Sequence, residues 1–250
     1  MKINYEEQAE YYEKTRDIEP LVYSGLCHLL MPTIGEAVLD FGCGTGNYLQ
    51  QLISDYGIEP YGVEPSAHMR EIAQMKIHPD RIQVGDNLHL PSFGVLFNKI
   101  YCTDVIHHIR QLNTLFETLK QVAANGAKLC ICTESSHQLK EKYWIKYFPD
   151  ILEADLRRFH PIEAIVKAGA EAGWVHREIL TTEDMLIAPI SSSFMRRVEQ
   201  KTLSAFHLIS ESAYTQGRSL MEADYRAQVL LHQHEGYTFV LFERQDSHGI

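Results

Sequence analysis

The sequence predicts an α/β protein built on a doubly wound, mostly parallel sheet of seven strands. From residue 37 onward, short apolar runs alternate with longer stretches in which apolar residues recur every three or four positions. That alternation is typical of strands followed by amphipathic helices, the arrangement that produces a parallel sheet. A glycine-rich junction at residues 42–46 and a length of 250 residues, enough for one large domain with insertions, agree with this fold class.

Composition narrows the class of protein further. Hydrophobic residues at 45% and charged residues at 22% are typical of a globular domain. The formal net charge of -10, without a basic cluster, argues against a nucleic-acid partner. The acidic, tyrosine-rich N-terminus and the lack of an apolar run of about 18 residues argue against a secretion signal and a membrane partner.

The cysteines and histidines indicate the redox state of the thiols and whether a metal site is present. The five cysteines include no C-x-x-C pair, and Cys130 and Cys132 lie two residues apart on one apolar run, so both would point to the same face of a strand. We therefore predict buried, reduced thiols. Together with the N-terminus, this predicts a cytoplasmic protein. The 13 histidines show no short metal-binding spacing, so we predict no metal site.

The seven strands and their helices can be placed in order. The predicted strands are Ala37–Phe41, Pro60–Glu64, Arg81–Val84, Lys99–Thr103, Ala127–Thr133, Trp174–Leu180 and Tyr237–Glu243. The predicted helices between them are Asn47–Tyr56, Ser66–Lys76, Leu112–Ala124 and Pro161–Ala172. The last of these helices has a proline in its first turn and a glycine directly after its end, which are typical boundary signals.

Two segments, 134–160 and 181–236, are much longer than the connections of about 2–6 residues that are usual in α/β units. We therefore predict a single domain over 1–250, with a core of about 31–133, 161–180 and 237–245. Residues 1–30 and the two insertions would form a helical cap, which could serve a monomer or a homodimer. The aromatic run in the first insertion would be either a substrate wall or the core of that insertion, and it consists of Tyr143, Trp144, Tyr147 and Phe148.

The stretch AVLDFGCGTGNYLQQL carries the clearest functional signal. Gly42, Gly44 and Gly46 stand at every second position after Asp40, between a buried strand and an amphipathic helix. Glycines there let the backbone turn sharply and approach a ligand, and the helix start offers free N–H groups. A bare tight turn without a ligand would look similar. Glu64, at the end of the next strand, can accept both hydroxyls of a ribose and so favours a nucleoside.

The spacing of the glycines distinguishes between nucleosides. A dinucleotide fingerprint reads G-x-G-x-x-G, whereas this chain reads G-x-G-x-G after Asp40, whose charge would repel a diphosphate and suits an ammonium group. At this point the sequence resembles the class I S-adenosylmethionine-dependent methyltransferases, whose first motif is matched by VLDFGCGTGN. The resemblance covers about residues 37–135. It implies a Rossmann-like fold, S-adenosylmethionine as cofactor and S-adenosylhomocysteine as product.

The resemblance also implies which residues hold the cofactor. Asp40, Gly42 and Gly44 would line its methionine end, and Glu64 would hold the ribose. Asp86 sits where such enzymes place an acidic residue that accepts the adenine amino group.

Further cofactor contacts follow from the same resemblance. Asn87 and Leu88 would flank the adenine ring, and Thr103 would lie next to the methyl group. Tyr12 and Arg16 belong to an N-terminal segment that closes over the cofactor in similar enzymes. Their near-helical spacing fits an amphipathic packing face equally well.

The candidate catalytic residues are His107, His108 and Glu134. A neutral imidazole near the acceptor could take its proton, but one of the two histidines could instead cap or pack the following helix. Glu134 lies at the ligand-binding edge of the predicted sheet, where it could act on the acceptor or be a solvated carboxylate.

The predicted reaction is in-line transfer of a methyl group to an O or N atom of a small molecule, in which the protein mainly aligns the reactants. The chain reads TDVI after the fourth strand, where an N-P-P-Y-like tetrapeptide would indicate N-methylation of a base or a glutamine. Two alternatives remain at this stage. They are a non-catalytic S-adenosylmethionine-binding protein and, less in keeping with the glycine spacing, an NAD(P)-dependent oxidoreductase.

Overall fold

The computed structural model describes residues 18–245, and these contain one seven-stranded sheet. The strands are β1 (Ala37–Phe41), β2 (Glu59–Val63), β3 (Ile82–Gln83), β4 (Phe97–Thr103), β5 (Ala123–Thr133), β6 (Trp174–Ala188) and β7 (Leu231–Arg244). Their order is β3-β2-β1-β4-β5-β7-β6, and the neighbouring pairs are parallel except those that involve β7. The predicted fold class is confirmed.

The helices connect these strands and form the two insertions. In the described residues they are α1 (Pro20–Leu30), α2 (Asn47–Tyr56), α3 (Ala67–Lys76), α4 (Leu112–Val122), α5 (Ser136–Glu141), α6 (Pro149–Arg158), α7 (Ile162–Glu171), α8 (Ser192–Glu199) and α9 (Glu211–Arg226). None of these helices combines the length and the apolar character needed to cross a membrane.

The sheet is covered on both faces, as a doubly wound fold requires. On one face α4 and α7 bury residues such as Phe116 and Ile165 against the sheet, and the indole of Trp174 donates a hydrogen bond to the Phe116 carbonyl at 3.0 Å. On the other face α1, α2 and α3 pack around Cys130 and Cys132. Both cysteines are buried free thiols, as predicted.

Helix α1 corrects the predicted extent of the cap. We expected residues 1–30 to belong to it, but Leu26 and Leu29 are buried in the cluster that covers one face of the sheet. A Cβ atom at Gly25 would lie 2.4 Å from the ring of Phe239, so the helix approaches β7 very closely there. Residues 20–30 therefore belong to the sheet layers, and residues 1–17 lie outside the described part.

Strands β6 and β7 are longer than predicted. They pair with each other along their whole length, from Trp174 opposite Arg244 to Ala188 opposite Leu231, whereas β5 pairs with β7 only over 238–243. The second insertion thus begins and ends as a two-stranded ribbon that extends beyond the sheet. Much of this ribbon is exposed, so its sequence lacks a clear alternation of apolar and polar residues. The hydrophobic pattern therefore did not predict it.

The two insertions share a third hydrophobic cluster of their own. In it Phe148 packs edge-on against Phe206 with ring centroids 4.9 Å apart, and Met195 and Met221 are buried beside them. Trp144, Tyr147 and Phe148 are buried there, so most of the aromatic run forms the core of the insertion. Tyr143 is only partly buried at the edge of the cluster.

Gly217 lies where α9 crosses the aromatic segment of this cluster. A Cβ atom there would lie 2.3 Å from the backbone oxygen of Tyr147 and 2.4 Å from Cδ1 of Phe148. We expect Gly217→Ala to lower the free energy of unfolding, measured by chemical denaturation, by about 2 kcal/mol because overpacking costs about 1–3 kcal/mol. Ser219→Ala, on the exposed side of the same helix, is the control and should change it by less than about 0.5 kcal/mol. Equal stability of the two variants would contradict the close contact.

Candidate active site

The glycine turn between β1 and α2 has the backbone shape that its sequence predicts. Gly42, Gly44 and Gly46 have φ angles of 85°, 53° and 80°, in the left-handed region that favours glycine. A Cβ atom at Gly42 would also lie 2.3 Å from Cγ2 of Val105. The Gly42 N–H donates to the Val63 carbonyl at 2.8 Å, which ties the turn to the end of β2.

Glu64, directly after β2, holds this turn from the other side. Its Oε2 accepts a hydrogen bond from the Gly44 N–H at 2.9 Å, and its Oε1 accepts one from the Ser66 N–H at 2.8 Å. The carboxylate is only 6% exposed. Because each carboxylate oxygen can accept more than one bond, the same group can also accept ribose hydroxyls.

Asp40, in β1, is the most perturbed carboxylate at the site. It is 1% exposed, and its Oδ1 has no hydrogen-bond partner among residues 18–245. Burial raises the pKa of Asp40 to about 8; the nearby hydroxyl of Tyr101 opposes this rise and the charge of Glu64 adds to it. Tyr101 is fully buried, and its hydroxyl likewise lacks a hydrogen bond of normal geometry to described residues. A buried acceptor of this kind suits a cationic ligand group.

The predicted adenine-binding residues lie in an exposed turn after β3. Oδ1 of Asp86 accepts hydrogen bonds from the N–H groups of Leu88 at 2.8 Å and His89 at 2.9 Å, which fixes the turn. The carbonyl of Asn87 accepts a bond from the Thr118 hydroxyl at 3.1 Å. Leu88 is 54% exposed, so a ring placed on it would bury apolar surface.

The end of β4 carries the predicted methyl-side residues. Thr103 is the last residue of the strand and is half-buried. Asp104 follows it with a φ angle of 56°, an unusual conformation for a residue other than glycine. Such backbone conformations persist where the surrounding structure enforces them, and they cluster at functional sites.

His107 and His108 lie in a short 3-10 turn, Ile106–His108. The ring of His107 stacks on Phe159, with centroids 4.4 Å apart, and contacts the ring of His108 at 4.1 Å in a tilted arrangement. This stacking joins the turn after β4 to the first insertion. The contact is with the insertion and not with the helix that follows the turn, and the role of a base stays a prediction.

Glu134 could be a solvated carboxylate or a group that acts on the acceptor, and the structure excludes the first of these. It is 8% exposed and forms a 2.7 Å ion pair with Lys142. Burial raises the pKa of Glu134, the charge of Lys142 opposes that rise, and the charges of Asp104 and Asp155 add to it. A catalytic role for Glu134 is untested by this geometry and stays a prediction.

We expect Lys142→Met to lower the free energy of unfolding by about 1–2 kcal/mol at pH 7, because it leaves the Glu134 charge buried and unpaired. The loss should shrink toward pH 4, where Glu134, whose pKa is already raised, becomes protonated in the folded state. Thermal unfolding at both pH values tests this, with exposed Lys140→Met as the control. An equal loss at both pH values would show that the ion pair is not responsible.

Several groups at this edge were not identified from the sequence. Glu19 is the N-cap of α1, and its backbone N–H donates to the hydroxyl of Tyr48, at the start of α2, at 3.2 Å. Tyr237 lies in β7 directly before Thr238, which pairs with Thr133 at the end of β5, and Glu235 lies two residues earlier, opposite Asp184 of β6. No local sequence pattern indicates that these two residues lie at the site, because only the order of the strands in the sheet brings β7 beside β5. Tyr12 and Arg16 lie outside the described residues, which contain no cluster of three or more metal-ligating side chains.

A family model described as "Methyltransferase domain" matches residues 22–179, more than half of the chain. The chain belongs to this methyltransferase family. The predicted class is thereby confirmed, and S-adenosylmethionine is the methyl donor that the family uses. The match includes the glycine turn, Glu64, Asp86 and the end of β4. It favours methyl transfer over the nicotinamide-dependent alternative.

Two bacterial relatives agree with this assignment. An uncharacterized methyltransferase of Geobacillus kaustophilus is 29% identical over 192 residues, which are 75% of this chain and 82% of that protein. An uncharacterized methyltransferase of Anoxybacillus flavithermus is 38% identical over 87 residues, which are 35% of this chain and 41% of that protein. The second alignment therefore spans less than half of the relative.

Solved structures share the fold of this methyltransferase. A protein described as a methyltransferase of an antibiotic biosynthesis pathway, from Anabaena variabilis, has a TM-score of 0.67 and 22% identity over 91% of this chain and 98% of that chain. Phosphoethanolamine N-methyltransferase 2 of Haemonchus contortus has a TM-score of 0.58 and 18% identity over 96% of this chain and 58% of that chain. At these identities the likeness shows the fold alone.

Proposed function

We propose that this methyltransferase transfers the methyl group of S-adenosylmethionine to an O or N atom of a small molecule. The observation that carries the cofactor assignment is the placement of Glu64. Its two buried oxygens bind the Gly44 and Ser66 N–H groups at 2.9 and 2.8 Å, where a ribose lies in similar enzymes.

The residues of the site fit this cofactor. The unpartnered Oδ1 of Asp40 can accept a hydrogen bond from the ammonium group at the methionine end of the cofactor. The glycine turn leaves no Cβ between its backbone and the ligand. The exposed Leu88 offers a surface for the adenine ring beside Asp86. When bound, the cofactor supplies a methyl group already activated by the positive charge on its sulfur.

The remaining task of the protein is to align an acceptor and to exclude water. The cap formed by the two insertions and the carboxyl edge of the sheet would provide the acceptor pocket. A small-molecule acceptor is supported by structural neighbours: the Haemonchus enzyme is in complex with phosphomonomethylethanolamine, and a Streptomyces coelicolor C-methyltransferase with geranyl diphosphate. A cytoplasmic location is part of this proposal, supported by five free cysteines.

Titration calorimetry with S-adenosylmethionine and S-adenosylhomocysteine tests the proposal. We expect binding in the micromolar range, about -8 kcal/mol, for both ligands, and no binding of NAD⁺. Folded protein that binds neither adenosyl ligand would overturn the cofactor assignment. Protein that binds both but forms no labelled product from methyl-labelled cofactor with any O or N acceptor would support the non-catalytic alternative.

A further inference from the structure

Arg70, the fourth residue of α3, is bound to the loop that carries Glu64. Its Nη1 donates a hydrogen bond to the Glu64 carbonyl at 2.9 Å and one to the Pro65 carbonyl at 3.2 Å. Side chains of a helix lean toward its N-terminus, so a residue at this position reaches back to the residues that precede the helix. The contact joins α3 to the chain directly after β2.

The start of a helix is an unfavourable place for this cation. A helix N-terminus carries partial positive charge and favours acidic side chains, yet α3 has no acidic residue in its first turn. Arg70 nevertheless places its guanidinium in front of that terminus, on carbonyls that precede the N-cap residue Ser66. A residue that breaks a local preference in this way is expected to serve a function at a neighbouring site.

The backbone of Glu64 is held on both sides of the residue. Its N–H donates a hydrogen bond to the Gln83 carbonyl of β3 at 3.1 Å, and its carbonyl accepts the bond from Arg70. The direction of the Cα–Cβ bond follows from this backbone, and the carboxylate lies at the end of that side chain. In the structure its two oxygens reach the N–H groups of Gly44 and Ser66 at 2.9 and 2.8 Å. Arg70 therefore helps to determine where the carboxylate points.

Helix α3 contacts the glycine turn at a second place. A Cβ atom at Gly46 would lie 3.2 Å from the Cβ atom of Ala73. Close by, Nζ of Lys76 donates a hydrogen bond to the side-chain oxygen of Asn47, the first residue of α2. The same helix thus supports the glycine turn at its C-terminal half and the Glu64 loop at its N-terminal half. It fixes the distance between the two walls of the proposed ribose site.

The charge of Arg70 also reaches the glycine turn. Burial raises the pKa of the Cys43 thiol, and the charges of Asp40 and Glu64 add to this rise. The charge of Arg70 opposes it. The cation therefore acts at the same place as the two carboxylates that are proposed to bind the cofactor, in agreement with its hydrogen bonds to the Glu64 loop.

We propose that Arg70 is a positioning residue for the ribose of the cofactor. It holds the carbonyls of Glu64 and Pro65, so that the Glu64 carboxylate is already aimed at the two ribose hydroxyls before the ligand arrives. In this role Arg70 acts through Glu64 and forms no bond of its own to the ribose. A preorganised carboxylate binds more tightly because the ligand does not have to order it. This inference rests on the proposed function and names a residue on which its ribose site depends.

Two matched ligands test the proposal by calorimetry without knowledge of the methyl acceptor. They are S-adenosylhomocysteine and its 2′,3′-dideoxy analogue, which lacks both ribose hydroxyls. Arg70→Met removes the guanidinium and keeps an apolar side chain of similar length. We expect this variant to bind S-adenosylhomocysteine about tenfold more weakly than the wild type, and the dideoxy analogue within about twofold of it. A role in folding alone would weaken the binding of both ligands equally.

Two further variants complete the test. Arg70→Lys keeps the charge and can donate to one carbonyl at a time, so it should lose only about threefold in affinity for S-adenosylhomocysteine and nothing for the dideoxy analogue. It is the variant to use if Arg70→Met does not fold. Arg81→Met is the matched control, because Arg81 forms only a 3.4 Å surface ion pair with Glu59. It should change the affinity for neither ligand.

The outcomes separate this inference from the proposed function. An equal loss of affinity for both ligands in the Arg70 variants, or no loss for either, would overturn the positioning role. Equal binding of the two ligands by the wild type would overturn it as well, since Glu64 would then hold no ribose hydroxyl. Failure of the folded wild type to bind S-adenosylhomocysteine at all would instead reject the proposed function.

Discussion

The Glu64→Ala variant is expected to bind S-adenosylmethionine at least about 100-fold more weakly than the wild type. The carboxylate is the group proposed to hold both ribose hydroxyls, and hydrogen bonds to a charged group contribute about 1.5–3 kcal/mol each. Its removal also frees the Gly44 and Ser66 N–H groups, whose hydrogen bonds it now accepts at 2.9 and 2.8 Å. Calorimetry on the wild type and the variant measures the change.

A matched control separates this loss from a general effect of removing charge. Glu59, at the start of β2, is exposed and forms only a 3.4 Å surface ion pair with Arg81. Glu59→Ala should leave cofactor binding within about twofold of the wild type, since exposed pairs contribute little. Thermal unfolding establishes that each variant is folded, and Glu64→Gln, which keeps one acceptor oxygen, substitutes if Glu64→Ala does not fold. If a folded Glu64 variant bound S-adenosylmethionine as tightly as the wild type, Glu64 would not be part of the cofactor site.

The shape of the glycine turn and the position of Glu64 beside it could be predicted from the sequence because their signals are local. Gly42 and Gly44 follow directly on a short apolar strand, and their spacing determines the turn whatever the rest of the chain does. The five residues of β1 are all buried, and their short, mostly apolar run predicted a buried strand. Even Glu64, which is separate in sequence, lies at the end of the next predicted strand and so at the same edge.

The surroundings of Glu134, on the side proposed for the acceptor, could not be predicted in the same way because they depend on how the insertion and the last strand are placed. Lys142 meets Glu134 from eight residues further along the chain, at the end of α5, and no spacing in the sequence indicates that pair. Tyr237 reaches the same place because β7 inserts between β5 and β6, an order that no local pattern records. Glu134 could be assigned to the correct edge, but whether it was solvated or buried depended on these partners.

The Asp40→Asn variant is expected to remove a pH dependence that the wild type shows. Burial raises the pKa of Asp40 to about 8, while the unfolded chain has the ordinary value of 3.8. The folded state therefore holds the proton more tightly, and this contribution to stability is present below about pH 4 and is lost as the pH rises toward 8. An asparagine side chain does not titrate, so the variant should gain stability relative to the wild type between pH 5 and pH 8. Thermal unfolding over this range measures the difference.

Ligand binding should respond in the opposite direction. If Asp40 binds the ammonium group of S-adenosylhomocysteine as proposed, it does so in its ionised form, so wild-type binding should tighten about 20-fold between pH 6.5 and pH 8.5. Asp40→Asn should bind more weakly at pH 8.5 and show little of this dependence. Glu71→Gln, an exposed position of α3, is the control and should follow the wild type. If wild-type binding were independent of pH, Asp40 would be no partner of the ammonium group, and its buried oxygen would need a different ligand.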